Sequence, residues 1–469
     1  MVFSSLVFLF LFLPIVIGIY YLIPTRTYKN LWLFVTSLFF YAWGEPIYIS
    51  IMIVSIFNDF FCAQLVEKER NKGNTGRARF FFILSLSINL GLLFFFKYAG
   101  FLIENINALF HLSLSAHKLA LPIGISFYTF QTMSYSIDVY MGHVKVQKNF
   151  LTMAAYVTMF PQLIAGPIVR YITVEEELTH RTESLEMASY GLRRFIIGLG
   201  KKVIIANQMG MIADTIYNSA YGTPGTIMLW LAAIAYTFQI YFDFSGYSDM
   251  AIGLGRIFGF HFLENFNYPY ISTSITDFWR RWHISLSTWF KDYVYIPLGG
   301  NRKWIYRNIL IVWMLTGLWH GASWNYVFWG LYYGVLLIAE KLLLHKVLNK
   351  VPKVLRHIYT LLIVVVGWVI FRLEDASQLF DALKGMFRYT GTSRSDLLFI
   401  YQDMLYAIPF LILAVFASTP LTQRFMAKIE AQDNPVFKVL LDISIIGILM
   451  VSIVFLVGEK FNPFIYFRF

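Results

Sequence analysis

The sequence predicts an all-α, polytopic membrane protein, and three observations lead to this fold class. Of the 469 residues, 58% are hydrophobic and only 14% are charged, and the mean hydropathy is +0.60. Apolar runs of about 20 residues, the length that crosses a bilayer, recur along the whole chain. No linker-like or low-complexity segment separates them. A soluble protein of this size would be far less apolar, so we expect one membrane domain over residues 1–469.

We expect about eleven transmembrane helices, near residues 2–23, 30–43, 47–66, 80–96, 119–140, 226–244, 306–322, 325–343, 358–373, 397–417 and 436–457. Residues 148–168 and 245–300 are apolar but broken by Gly, Pro and polar side chains. They predict re-entrant or partly crossing helices, which need protein or water around them. The segment Ser184–Asn207 has one apolar face flanked by Arg and Lys, which predicts an interfacial helix along the inner surface.

The distribution of basic residues predicts the orientation. The first apolar run has no basic segment before it and no cleavage pattern after it, so we expect a retained span with the N-terminus outside. The loops after the first and third spans are basic and the turn at Gly44-Glu45-Pro46 is not, which indicates that the basic loops are cytoplasmic. The same rule puts the basic cluster around His283 in the cytoplasm and carries His320 outward, so the two histidines are expected at different depths.

Charge and cysteine content exclude several classes of protein. Cytoplasmic loops facing anionic lipid explain the net charge of +11, and we expect contacts with membrane lipids and no nucleic acid partner. The single cysteine, Cys62, allows no internal disulfide and no multi-cysteine metal site, and it is expected to be a packing residue. No phosphate-binding loop, dinucleotide fingerprint or H-E-x-x-H motif occurs, so we expect no metal.

Two histidines lie in settings that predict chemistry. Ser274-Ile275-Thr276-Asp277 predicts a helix start, and a helix running on to His283 would place Trp279, Trp282 and His283 on one side. An interfacial aromatic belt explains that pattern equally well. His320 lies between two apolar runs and is flanked by Gly317 and Gly321, which allow close approach of a substrate or a backbone. A hydrogen-bonded core histidine is the alternative there.

A near-neutral imidazole at membrane depth suits acyl transfer to a hydroxyl. Such a base removes the proton of the attacking group, and a dry site with hydrogen-bond donors stabilises the oxyanion. The rival functions are a transporter or flippase for a lipid-linked glycan, whose path the histidines would line, and a scaffold for an envelope complex, in which neither histidine would matter.

Several long blocks resemble the membrane-bound O-acyltransferase family. They are residues 160–171 (FPQLIAGPIVRY), 241–249 (YFDFSGYSD), 278–287 (FWRRWHISLS), 292–302 (DYVYIPLGGNR) and 316–321 (TGLWHG). The likeness covers nearly the whole chain. It is strongest to the branch of bacterial membrane subunits that O-acetylate alginate and peptidoglycan, and a related branch transfers D-alanine from a carrier protein to teichoic acid.

The resemblance implies a ring of helices around a central funnel, with His320 as the central catalytic histidine and His283 as a second functional one. It implies a bacterial cytoplasmic-membrane enzyme that takes acetyl from a cytoplasmic thioester, acetyl-CoA, for O-acetylation of an envelope polysaccharide. D-alanyl transfer from a carrier is the alternative. It also implies an extracytoplasmic serine esterase-like partner that completes the transfer.

The remaining candidates are polar residues near these blocks and the C-terminal tail. Asp292, Asn301, Arg281 and Lys291 are candidates for donor binding or histidine orientation, although interfacial or capping roles explain them too. The carboxylates of Asp138, Asp243 and Asp249 are expected to be structural. The tail at 461–469 is expected outside the membrane, either as an aromatic anchor or, by resemblance to tails of envelope acylation systems, as a relay in which Tyr466 accepts the acyl group.

Overall fold

The computed structural model of the protein describes residues 1–115, 120–218, 223–348, 350–391, 393–431, 434–458 and 465. Within these ranges the regular structure is helical and no strand occurs, as the all-α prediction requires. The predicted tail lies outside the described residues except for Ile465, so Tyr466 lies outside them as well. The chain forms two compact units, Met1–Phe195 with Met250–Leu263, and Ile196–Asp249 with Glu264–Phe469. The expectation of one domain stays a prediction.

The first unit is a set of apolar helices packed through phenylalanine rings. Its helices are α1 (Leu13–Leu22), α2 (Arg26–Ala42), α3 (Ile49–Asn71), α4 (Thr75–Phe110), α5 (Ile125–Met141), α6 (Phe150–Thr158), α7 (Phe160–Leu163) and α8 (Tyr171–Thr179). The rings of Phe8, Phe40 and Phe160 lie 5.5–6.2 Å apart in tilted and edge-on pairs, geometries that aromatic quadrupoles favour. The short helices α6 and α7 are almost fully buried, which agrees with the predicted broken segment at 148–168.

Buried polar groups of the first unit bond to one another. The fully buried Asp59 carboxylate on α3 accepts hydrogen bonds from Ser85 and Asn89 on α4 and from Ser136 on α5. In a low-dielectric interior an unpaired carboxylate would be costly. These bonds therefore lock three helices together and serve the scaffold of the first unit.

The second unit carries the two histidines. Its helices after Glu264 are α12 (Ile275–Arg281), α13 (Ile284–Phe290), α14 (Ile305–His320), α15 (Trp324–Ala339), α16 (His345–Leu348), α17 (Lys353–Arg372), α18 (Ala376–Phe387), α19 (Arg394–Gln402), α20 (Met404–Ala417), α21 (Leu421–Ala431) and α22 (Pro435–Gly458). Before them, α9 (Leu185–Gly200), α10 (Asn207–Tyr217) and α11 (Thr226–Ile257) complete the helix order, with α9 and α11 containing the unit boundaries.

The segment predicted to be interfacial is instead a long and mostly buried helix. Residues Leu185–Tyr217 form a helical run of 33 residues that is long and apolar enough to cross a membrane. Its lysines pair with acids on α11, Lys201 with Asp249 and Lys202 with Asp243, each at 2.7 Å. The sequence prediction was wrong because it assigned these charges to lipid headgroups, whereas protein carboxylates neutralise them.

Helix α11 also differs from the prediction, because it continues without a break through Gly246 to Ile257. A Cβ atom on Gly246 would lie 2.7 Å from the carbonyl oxygen of Gly198. The glycine therefore serves close helix packing rather than a chain break. Beyond α11, the rest of the segment 245–300 does contain short, broken helices, as predicted.

Close packing of α14 on α15 fixes the end of the helix that carries His320. A Cβ atom on Gly317 would lie 2.3 Å from the carbonyl oxygen of Tyr326, and one on Gly321 would lie 2.2 Å from the Tyr326 ring. The prediction that these glycines admit a close neighbour is confirmed, and the neighbour is α15. Any side chain at Gly317 would force the two helices apart.

Seven helical runs of the described chain are long and apolar enough to cross a membrane: Ile49–Asn71, Thr75–Phe110, Leu185–Tyr217, Thr226–Ile257, Trp324–Leu344, Lys353–Arg372 and Pro435–Gly458. The bent pair Asp396–Gln402 and Leu405–Ala417 would make an eighth. A multi-pass membrane protein is thereby confirmed, but the count of about eleven is not. Predicted spans such as 306–322 correspond to helices of only 16 residues, shorter than the roughly 20 that a straight crossing needs.

Candidate active site

The chain changes direction sharply at His283. Ser274 caps α12 by accepting the backbone N–H of Asp277 at 3.0 Å, which confirms the predicted helix start. The helix ends at Arg281, and His283 has φ 45° and ψ 55°, the left-handed conformation. The prediction of one helix carrying Trp279, Trp282 and His283 on a shared face was therefore wrong. A non-glycine residue in this conformation costs about 1–2 kcal/mol, and such strain is concentrated at functional sites.

A buried asparagine that the sequence analysis missed holds this turn. The backbone carbonyl of Asn265 accepts the N–H of Ile284 at 2.9 Å. Its side-chain oxygen lies 3.2 Å from Nδ1 of His283 and also accepts from the backbone N–H and the hydroxyl of Ser285, at 3.2 and 2.9 Å. Its amide nitrogen donates to Ser248 at 3.1 Å. Only the polar pattern Glu264-Asn265-Phe266-Asn267 in an apolar region signalled this residue.

Burial also affects the charge of His283, which lies outside the helical runs that are long and apolar enough to cross a membrane. The side chain is 1% exposed, and burial lowers the pKa of its imidazole to about 3 because the charged form loses its hydration. His283 is therefore neutral at physiological pH. Its Nε2 atom has no hydrogen-bond partner within the described part of the chain.

His320 lies in aromatic surroundings at the C-terminal end of α14. Its imidazole makes edge-on contacts with Trp329 and Phe371, with ring centroids 5.1 and 5.2 Å apart. Trp319 contacts it at 5.0 Å and also contacts His283 at 5.7 Å. The indole of Trp319 therefore touches both imidazoles, although the sequence predicted that they lie at different depths.

Both histidines line one cavity of about 250 Å³. Its wall is mainly aromatic and aliphatic, with a few hydroxyl groups and two cationic side chains. The lining residues are Thr276, Trp279, Arg280, Trp282, His283, Leu286, Ser287, Phe290, Lys291, Tyr295, Val312, Trp313, Thr316, His320 and Leu337. An apolar cavity with a few convergent polar groups is the usual form of a small-molecule site.

The predicted donor-binding residues divide into two groups. Lys291 lines the cavity together with Arg280, and neither side chain has an ion pair or hydrogen bond within the described ranges. Arg281 pairs instead with Asp277 at 2.9 Å, and Asn301 accepts from the cavity-lining Tyr295 at 2.9 Å. Asp292 and Asn301 are not part of the cavity wall.

The other predicted structural residues have partners. Asp243 and Asp249 form the ion pairs described above, and Asp138 lies 3.4 Å from Nδ1 of His143. Cys62 is buried, as expected of a packing residue. The prediction that these three carboxylates are satisfied is confirmed.

Two further contacts escaped the sequence analysis. The buried Glu340 carboxylate accepts the backbone N–H groups of Ile275 and Thr276, at 2.6 and 2.9 Å, and so fixes the start of the helix that forms one cavity wall. The backbone N–H of Ile465 donates to Asp243 at 2.9 Å. Both acids lie within apolar runs, which was the available signal.

Comparisons of the sequence with known proteins identify the family. The model of the membrane-bound O-acyltransferase family matches residues 111–374, which include every residue of the cavity wall. The chain is 41% identical to a probable alginate O-acetylase of Azotobacter vinelandii over the full length of both proteins. It is 35% identical to a peptidoglycan O-acetyltransferase of Helicobacter pylori over 84% of this chain and 81% of the relative.

A more distant relative is a teichoic acid D-alanyltransferase of Bacillus subtilis, 33% identical over 47% of this chain and 59% of the relative. The chain belongs to the membrane-bound O-acyltransferase family. It is therefore a membrane enzyme of acyl transfer, which decides against the flippase and scaffold alternatives.

Proposed function

We propose that the protein takes an acetyl group from cytoplasmic acetyl-CoA and passes it across the bacterial cytoplasmic membrane for O-acetylation of an envelope polysaccharide. The observation that carries the proposal is the cavity that His283 and His320 both line, in a chain whose relatives are named for O-acetylation of alginate and peptidoglycan. The N-terminus is outside in this proposal, and the basic loops face the cytoplasm.

The size of the cavity suits the thioester end of the donor. Its volume of about 250 Å³ is below the roughly 300–1,000 Å³ of pockets that enclose a whole ligand. The nucleotide part therefore stays outside, where the exposed Arg280 and Lys291 supply cations for its phosphates. The aromatic wall excludes water and so protects the thioester from hydrolysis.

His320 acts as general base in the proposed reaction. It removes the proton of the attacking hydroxyl, whose oxygen forms a bond to the thioester carbonyl carbon. The carbon–sulfur bond then breaks, and the proton passes to the leaving thiolate of coenzyme A. A positioned base of this kind contributes about 10²–10⁴-fold to the rate. His283 contributes to binding of the donor in the same cavity.

Tyr466 is the proposed first acceptor of the acetyl group. Its neighbour in the chain, Ile465, is buried and bonded through its backbone to Asp243, one residue from Phe244. The Phe244 ring lies 4.6 Å from the ring of His283. A phenolic ester is a better leaving group than an alkyl ester, so Tyr466 can pass acetyl on to an extracytoplasmic serine esterase-like partner.

The sidedness of donor use tests the proposal. Inside-out membrane vesicles given acetyl-labelled acetyl-CoA are expected to acquire label in protein and polymer, whereas right-side-out vesicles are not. Vesicles from cells that lack the protein measure the background. Equal labelling of both preparations would overturn the orientation, and no labelling above background in either would overturn acetyl-CoA as the donor.

A separate substitution tests the relay. Tyr466→Phe keeps the aromatic ring and removes only the hydroxyl, so polysaccharide acetylation is expected to fall to background while donor binding persists. Phe464→Tyr in the same tail is the matched control that leaves Tyr466 intact. Acetylation by Tyr466→Phe at the parent level would show that acetyl leaves the cavity by direct transfer to the partner.

One observation favours a second candidate function, D-alanyl transfer from a carrier protein, namely the partial similarity to the Bacillus subtilis enzyme. A carrier-borne phosphopantetheine presents one phosphate, whereas coenzyme A presents the additional charges of its nucleotide. Supplying purified protein with either acetyl-CoA or a D-alanyl carrier decides between the two, because only the true donor is consumed.

A further inference from the structure

The hydrogen bonds around Asn265 determine which nitrogen of His283 carries a proton. The backbone N–H of Ser285 can only donate, so the atom it meets at 3.2 Å is the side-chain oxygen of Asn265. That oxygen has no hydrogen. Its contact with Nδ1 of His283, at 3.2 Å, is therefore a hydrogen bond donated by Nδ1–H.

The other ring nitrogen then has a free lone pair. In the neutral imidazole only one nitrogen carries hydrogen, and burial keeps the pKa of His283 far below its usual range. Nε2 is consequently an acceptor on a side chain that lines the cavity, and it has no partner within the described part of the protein. A buried acceptor without a partner costs free energy unless a ligand supplies the missing donor.

We infer that Asn265 is a positioning residue that fixes His283 as a neutral hydrogen-bond acceptor for the acyl donor. This inference rests on the proposed function and assigns a different role to each histidine of the cavity. His320 moves the proton, and His283 accepts a hydrogen bond at Nε2 from an N–H group of the donor. The pantetheine arm of an acyl thioester carries such amide groups.

Asn265 does this by two routes. Its backbone carbonyl and side-chain oxygen accept the backbone N–H groups of Ile284 and Ser285, the two residues that follow His283, which supports the left-handed backbone of the histidine. Its amide nitrogen donates to Ser248 on α11, which prevents the side-chain amide from rotating. Asn265 itself is 0% exposed, so solvent does not compete for these bonds.

The charged and titratable groups near this turn are few. Arg280, Lys291, Tyr295 and His320 share the cavity with His283, and Glu264 precedes Asn265 in the chain. The acids of α11 nearest to Ser248 are occupied by lysines. The Asn265 side-chain oxygen lies 3.2 Å from Nδ1 and the Ser285 hydroxyl lies 3.5 Å from it. Of these two uncharged side chains, Asn265 is the closer one, and replacing it by aspartate makes it anionic with little change in shape.

The experiment measures KM for acetyl-CoA against pH in purified protein. Asn265→Asp places a carboxylate at Nδ1, which stabilises the imidazolium and turns Nε2 from an acceptor into a donor at acidic pH. KM is expected to rise about tenfold at about pH 6 and to return towards the parent value at about pH 8.5. The kcat value at saturating donor is expected to stay close to that of the parent at the higher pH.

Asn308→Ala provides the matched control, because Asn308 is equally buried in the same unit and its side chain bonds to the carbonyls of Gly300 and Lys303 and to the Arg307 guanidinium rather than to His283. It is expected to lower stability without making KM depend on pH. Asn265→Leu, which has no oxygen to offer, is expected to raise KM at every pH. Equal changes for Asn265→Asp at both pH values would overturn the inference.

A spectroscopic measurement separates this inference from the choice of donor. In protein labelled with ¹⁵N-histidine, the His283 signals, identified by their loss in His283→Gln, are expected to show a protonated Nδ1 and an unprotonated Nε2. Asn265→Asp should convert them to imidazolium signals at acidic pH. A parent protein with hydrogen on Nε2 and none on Nδ1 would overturn the inference, even if acetyl-CoA is confirmed as the donor. The expected tautomer would support the inference, even if another thioester is the donor.

Discussion

The two histidines of the cavity are held in opposite ways. His283 has a strained, left-handed backbone, and its imidazole is held by a hydrogen bond to Asn265. His320 instead ends a regular helix and is surrounded by aromatic rings. Hydrogen bonds select a tautomer and leave one nitrogen with a defined role. Aromatic edges restrict position but leave protonation free to change during a reaction. The difference is what a site needs when one imidazole must stay neutral and the other must carry a proton.

The largest expected effect comes from His320, the histidine that we propose as the general base. His320→Phe keeps an aromatic ring among Trp319, Trp329 and Phe371 and removes the base, so kcat is expected to fall by about 10²–10⁴-fold with KM for the donor unchanged. Steady-state kinetics of purified protein with acetyl-CoA measures both. A changed KM with normal kcat would reverse the roles that we assign to the two histidines.

A smaller effect is expected at the hydrogen-bonded histidine. His283→Leu removes the acceptor and should raise KM for the donor about tenfold, the value of one hydrogen bond, with a minor effect on kcat. His283→Gln offers an amide oxygen and should recover part of the loss. If Leu and Gln behave alike, the imidazole does not act as an acceptor.

The smallest effect concerns the strained backbone alone. Glycine adopts the left-handed conformation without a steric penalty, so His283→Gly should be more stable to heat than His283→Ala by about 1 kcal/mol. In a helix the order would be reversed. Thermal unfolding of the two variants in the same detergent measures the difference. Greater stability of the alanine variant would show that the backbone at this position is not strained.

The sequence predicts some parts of this architecture and not others. Apolar length and the cap at Ser274 are local signals, so the all-α membrane class and the start of α12 were predictable. The turn at His283 was not, because its conformation depends on Asn265, a residue 18 positions earlier. The prediction of an interfacial helix at Lys201 and Lys202 was wrong for a similar reason, since the acidic partners of these lysines lie more than 40 residues further along the chain.

The candidate site shows the same division. His283 and His320 stand out because ionisable groups in apolar segments are functional by default. Asn265 and Glu340 also interrupt apolar stretches, but the sequence does not predict their roles, because each role depends on a partner that only the folded structure identifies. Candidate site residues can therefore be recognised from residue type and setting in a single sequence, whereas residues that position them are recognised from contacts in the folded structure.

The central claim is that this cavity acetylates an envelope polysaccharide through His320, and the acetate content of the polymer tests it most directly. Polysaccharide is isolated from cells that carry equal membrane amounts of the parent protein or of His320→Phe, and acetate is released from it by mild alkali. The parent is expected to give ester-bound acetate, and the variant is expected to give no more than cells without the protein. Acetate near the parent level in the variant would contradict the account.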